Sequence, residues 1–101
     1  MDVILGADGR IAQFGQHVNA CALGQASAAL LGQNIVGASP SELARATDAL
    51  RQFLSRQRLD SGDWPGLSIF APAIEYTARH AAILLAFEAT TEAAETAQKR
   101  G

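Results

Sequence analysis

Three side chains in this sequence can bind a soft metal or carry sulfur chemistry: Cys21, His17 and His80. Cys21 is the sole cysteine. It stands where an alternating, strand-like run ending near Val18 gives way to a small-residue, helical run beginning near Ala22. A thiol at a helix N-terminus faces unpaired backbone N–H groups and the positive end of the helix dipole, and both favour the thiolate. A thiolate there would bind metal or take up sulfur. The competing reading is packing, since an unpaired cysteine often behaves as a small buried hydrophobe.

Ligand arithmetic bounds the metal chemistry. A structural zinc takes four protein ligands, and a catalytic zinc three plus water. Iron–sulfur clusters are held by four thiolates, two of which give way to histidines in some centres. One chain with one thiol and two histidines falls short of a stable cluster. Organic catalysis has even less support. No Ser-His-Asp, HExxH, CxxC, P-loop or GxGxxG pattern occurs. A Cys21–His80 nucleophile–base pair would lack a third, orienting group. The expectation is a protein that is not an enzyme.

The elements that must position these residues can be read from periodicity and turn chemistry. Val3, Ile4 and Leu5 make a short strand, and Asp8-Gly9 is a hairpin turn signal because it tolerates positive φ. The return strand covers residues 11–18, with Phe14 and Val18 marking its core face unless Gly15 introduces a bulge that re-phases it. A first helix covers residues 22–33, with Leu23, Ala26, Ser27 and Leu30 as its inward stripe and Asn34 as its left-handed stop. A second starts with Ser39 as N-cap, Pro40 in the first turn and Glu42 completing a capping box. It carries Leu43, Ala46, Leu50, Phe53 and Leu54 inward and ends near Gln57. Arg51, Arg56 and Arg58 cluster at that end, as a solvated rim or as a docking patch for an acidic surface. Asp63 caps a short turn at Trp64-Pro65, Trp64 acts as a lid over the core, and Pro72 breaks the path again. The last helix covers residues 77–98, with Ile83, Phe87 and Thr90 facing inward.

Composition sets the outer limits. The chain has 101 residues, enough for one small domain, and 49% of them are hydrophobic. A formal net charge of −2 argues against nucleic acid or an anionic membrane as the main partner. The start, Met1 to Leu5, has no basic n-region of a secretory signal. No apolar run approaches the roughly 18 residues of a membrane span. A lone cysteine fits a reducing cytoplasm. These features predict a soluble, cytoplasmic protein.

Residues 11–31 resemble the second cysteine segment of the NifU/IscU-type iron–sulfur cluster assembly scaffolds, including the SufU branch. In that family a strand opening on an aliphatic residue leads to a cysteine, and a helix rich in Ala and Ser follows. Ile11 and Cys21 have the family spacing, and Ala26-Ser27 stands where its Ala-Ser pair stands. Gly37-Ala38-Ser39 resembles the family's Gly-Lys-Ser, and residues 78–84 resemble the segment of its third cysteine, where this chain has Ala81, or Ala82 in a shifted frame. The longer connection around Trp64 resembles the SufU branch. The family's first cysteine, with its aspartate, lies in a segment that would precede Asp2, so the resemblance implies an N-terminally shortened single domain over residues 1–101.

The resemblance implies an α+β fold, a small antiparallel sheet packed on three principal helices. It implies Cys21 and His80 as metal ligands, an iron–sulfur cluster or zinc as the bound group, and a cysteine desulfurase or another iron–sulfur assembly protein as partner. Two chains together would bring two Cys21 and two His80. Two functions follow: a scaffold-like assembly factor with a degenerate site and a working Cys21, or a non-catalytic interaction module, a decoy or regulator of a desulfurase or full scaffold. The two-stranded hairpin leaves an unpaired strand edge. That predicts a homodimer or larger assembly through the N-terminal strands, or else a monomer in which the loop around Trp64 folds over the edge.

Overall fold

A computed structural model of the chain describes residues 2–15 and 22–100. Strands β1 (Asp2–Leu5) and β2 (Ile11–Gly15) pair antiparallel, and helices α1 (Ala22–Asn34), α2 (Pro40–Leu54) and α3 (His80–Arg100) follow. Between α2 and α3 the chain passes through 3-10 turns at Leu67–Glu75 and Thr77–Arg79. The α+β architecture is the one the sequence predicts.

The hairpin turns through residues 6–10. Gly9 N–H donates to the Gly6 carbonyl at 3.0 Å, Gly9 takes φ 78°, and the Asp8 carboxylate accepts from Arg10 N–H at 3.0 Å. Only the glycine needs positive φ; Asp8 contributes its side chain instead. Ile4 lies opposite Gln13 but Leu5 lies opposite Ile11, so Ala12 is an extra, bulged residue on β2. A bulge shifts the side-chain phase by one. Ile11, expected on the outer face, is therefore fully buried on the same side as Phe14. The re-phasing that was anticipated at Gly15 occurs at Ala12. Val18 lies outside the described residues.

The outer edge of β2 is met by the turn that precedes α2. Ile11 N–H donates to Ala38 O and Gly37 N–H to Ile11 O, each at 2.8 Å. Arg10 reinforces this clasp, with one nitrogen 2.8 Å from Gly37 O and 2.9 Å from the Glu42 carboxylate. The Arg10 hydrogen bond holds Glu42 below the usual 4.5, aided by Ser39. Ser39 then caps α2, its hydroxyl accepting Glu42 N–H at 3.1 Å.

Three helix details depart from expectation. The inward face of α1 is Gly24, Ser27, Ala28 and Leu31, one residue on from the predicted stripe, with Leu23, Ala26 and Leu30 half-buried beside it. Asn34 is still helical, and its amide donates back to Leu30 O at 3.2 Å. Helix α2 stops at Leu54 because Arg56 turns left-handed, with φ 66°. Arg56 N–H then reaches Phe53 O and Gln57 N–H reaches Gln52 O at 2.8 Å. This is the Schellman arrangement that usually places glycine at the left-handed position.

The loop after α2 is tied to the helices. Asp60 accepts from Gly62 N–H at 2.9 Å and from Arg58 at 2.8 Å, and these bonds hold its carboxyl below the usual 3.8. Gly62 and Gly66 both have positive φ and lie so close to Ala49 and Leu30 that a Cβ would collide, at 2.6 and 2.7 Å. The Trp64 indole donates to Leu30 O at 3.1 Å and meets Phe87 edge-on at 5.6 Å. Trp64 is thus the expected lid. These contacts are with the helices, and none of them is with β1. The predicted Asp63 cap is replaced, since Gly66 precedes the 3-10 turn and no side-chain cap bond is made.

Two predictions follow from these local geometries. Arg56→Gly removes the steric penalty of a left-handed side chain and should raise stability by roughly 0.5–1 kcal/mol, after the added freedom of the unfolded chain is counted. Urea unfolding would read it as a higher midpoint at unchanged slope; a lower midpoint would mean that the arginine side chain matters more than its strain. Ser27 is fully buried and its hydroxyl donates to Ile83 O at 2.6 Å, joining α1 to α3. Ser27→Ala should cost about 1–2 kcal/mol, and an unchanged midpoint would show that this bond is dispensable.

Candidate functional site

The bonds between helices define one end of the molecule. Ser27 lies against Ile83, and Leu30 reaches Phe87 through Trp64. Both residue numbers rise together, so α1 and α3 run side by side in the same direction. Their starts, Ala22 and His80, therefore share an end. Helix α2 runs the other way, since Thr47 contacts Thr91 at 2.8 Å and Arg51 contacts Glu88 at 3.0 Å. The start of α2, with Glu42, is thus directed toward the far end of α3.

His80 is the first residue of α3 and is half-buried. Its Nε2 lies 3.1 Å from Ala73 O and 3.1 Å from Ile74 O, carbonyls of the preceding 3-10 turn. Carbonyl oxygens only accept, so Nε2 carries a proton, and in the neutral ring the lone pair sits on Nδ1. A metal-binding histidine characteristically donates its other ring N–H to a carbonyl or carboxylate, which fixes the ring and its tautomer. His80 has that arrangement, with Nδ1 as the atom able to ligate.

Cys21, the other predicted ligand, lies outside the described residues, as does His17; α1 begins at Ala22, the next residue. Positions 81 and 82 are alanines, whose methyl side chains add no ligand atom beside His80. Among the described residues, no three His, Cys, Asp or Glu side chains gather where a metal ion could sit. These residues alone do not make a complete ligand set for zinc or a cluster.

Two of the three clustered arginines are paired within the chain, while Arg56 is exposed and makes no ion pair among the described residues. Arg51 bonds Asp48 at 2.7 Å as well as Glu88, and Arg58 bonds Asp60. Sequence reasoning missed a groove of about 770 Å³ along α2, bounded by the turn at residues 36–38 and the loop at residues 58–65. No periodicity could have revealed it, because it exists only where that loop folds back on α2. Among the described residues, no helix is long and apolar enough to cross a membrane.

No family profile matches the chain, and neither does any curated protein. The crystal structure of a nitrogen-fixing NifU-like protein (N-terminal) from Brucella abortus is similar: it is 34% identical, with a TM-score of 0.81 over 95% of this chain and 67% of that one. At that identity and coverage, an arrangement of hairpin and helices shared almost end to end reflects common descent, and the chain belongs to the NifU-like N-terminal domain family.

Proposed function

We propose that this protein is an iron–sulfur assembly factor of the scaffold type, with a reduced ligand set and no enzymatic activity of its own. What carries the reading is the ring of His80: its Nε2–H is committed to two carbonyls, which leaves Nδ1 to ligate at the end where α1 and α3 both start. In this reading Cys21, one residue before α1, takes up sulfur from a cysteine desulfurase or contributes one ligand, and His80 contributes another. The cluster or metal is cargo, assembled and passed on. The cytoplasm is the proposed compartment.

The sulfur step is a thiol exchange. The Cys21 thiolate attacks the outer sulfur of a donor persulfide and the donor's S–S bond breaks. The donor cysteine then leaves as a thiolate, so Cys21 becomes a persulfide and no external oxidant is consumed. A lowered thiol pKa speeds such exchange by raising the thiolate fraction.

A second reading has a specific observation behind it. Alanines stand where a third cysteine is expected, and the described residues gather no three metal-binding side chains. In that reading the protein is an interaction module that binds a desulfurase or a complete scaffold without carrying cargo.

Incubation with a cysteine desulfurase and cysteine, followed by intact-mass measurement, tests the first reading. The expected result is a gain of one sulfur atom that is absent in Cys21→Ser. A thiol that acquires no sulfur, and that is alkylated only on unfolding, would overturn this reading in favour of the interaction module. Metal content is the second test. Protein purified in air should carry substoichiometric iron or zinc, and His80→Ala should lower it further. Stoichiometric metal that resists chelator, or a content indifferent to His80→Ala, would contradict the reduced ligand set.

A further inference from the structure

We propose that the groove along α2 is a self-association surface whose occupant is a second copy of this chain. The groove follows one stripe of α2, from Glu42 through Arg45, Ala46 and Ala49 to Gln52, about 15 Å along the helix axis. Val36, Ala46 and Ala49 give it a small apolar floor. Val36 is 64% exposed in the single chain.

The charges select the occupant. Five charged residues line the groove: Glu42, Arg45, Asp48, Arg58 and Asp63. Three are already neutralised within the chain, Glu42 by Arg10, Asp48 by Arg51 and Arg58 by Asp60. Arg45 and Asp63 are exposed and have no bond or ion pair among the described residues. The surface thus offers one free cation and one free anion. A polyanion would gain from Arg45 and be repelled by Asp63, and a basic partner would meet the reverse. A second copy related by a twofold axis satisfies both: Arg45 of each protomer meets Asp63 of the other, and the pair forms twice.

The apolar complement is also supplied by the same face. Leu59 is next in the chain to Arg58, which lines the groove, and is completely exposed, at 101% of its reference area. Under the same twofold, Leu59 of one copy enters the Val36–Ala46–Ala49 floor of the other. Stable interfaces bury about 800 Å² per partner, more than a groove of this length provides alone, so the dimer is weak and concentration-dependent. Asn34, at the end of α1, lines the groove. The pairing therefore lies at the opposite end of α1 from Ala22 and leaves the His80 end open, so it stands or falls independently of the proposed function.

Sedimentation velocity on the full chain, from micromolar to millimolar concentration, tests the pairing. The wild type should pass from monomer to dimer. Arg45→Asp sets carboxylates against each other, and Asp63→Arg sets guanidiniums against each other. Each should weaken self-association at least about tenfold, as should Leu59→Asp, with unchanged circular dichroism. An equimolar mixture of Arg45→Asp and Asp63→Arg should form a heterodimer, because each remaining cation then faces an anion. A wild type that stays monomeric, a dimer indifferent to either reversal, or a mixture that fails to associate would overturn the proposal. So would a dimer abolished by Ile4→Pro but not by Arg45→Asp, which would assign association to the β1 edge.

Discussion

A hydroxyl with only one place to go sets the geometry of this protein. Ser27 is wholly enclosed, and its proton rests on the Ile83 carbonyl of the neighbouring helix. A buried hydroxyl deprived of its partner is penalised by its full desolvation cost, while the bond itself gains little over water. The asymmetry acts as a positional lock. If α1 slipped one residue against α3, it would turn about 100°, and the hydroxyl would lose its acceptor. Gly24 and Ala28, on the same buried face, keep side-chain bulk from holding the helices apart. The Trp64 indole, bonded to Leu30 O and edge-on to Phe87, bridges the same two helices one turn further along. The Ser27 bond and this Trp64 bridge together align the starts of α1 and α3 at one end.

Other buried hydroxyls on α2 and α3 are satisfied less completely. Thr47 is buried with its hydroxyl on Leu43 O at 3.0 Å and beside the Thr91 hydroxyl, so its burial is compensated. Thr90, equally buried, has no partner for its hydroxyl among the described residues. The contrast shows that inward position alone, which periodicity detects, says nothing about whether a polar atom is satisfied.

That distinction marks what could be read from the sequence. Ser39, Pro40 and Glu42 fixed the start of α2 to the residue, because capping chemistry is local. The inward stripe Ile83–Phe87–Thr90 was legible for the same reason, a clean helical period in a long segment. Where long-range contact decides, local signals misled. Ile11 is buried because of a bulge at Ala12 that no residue type announces, and the α1 stripe is displaced because alanines on every side blur its period. The end of α2 was missed because an arginine occupies a position where glycine would have signalled the stop. At the candidate site, the family resemblance of residues 78–84 pointed to His80, but the two carbonyls that orient its ring come from a 3-10 turn where Pro72 had suggested only a break.

The exchange of hydrogen bonds between Ile11 and the Gly37–Ala38 turn has a consequence for how this chain can vary. It closes residues 12–36 into a loop that leaves and re-enters the fold at one clasp. For a flexible connection, the entropy of closure rises only with the logarithm of length, by about 0.6 kcal/mol for each doubling. A change in the length of this loop therefore costs little closure free energy, provided the clasp and the Ser27 lock remain. Its length can thus change without the rest of the protein being rebuilt around it.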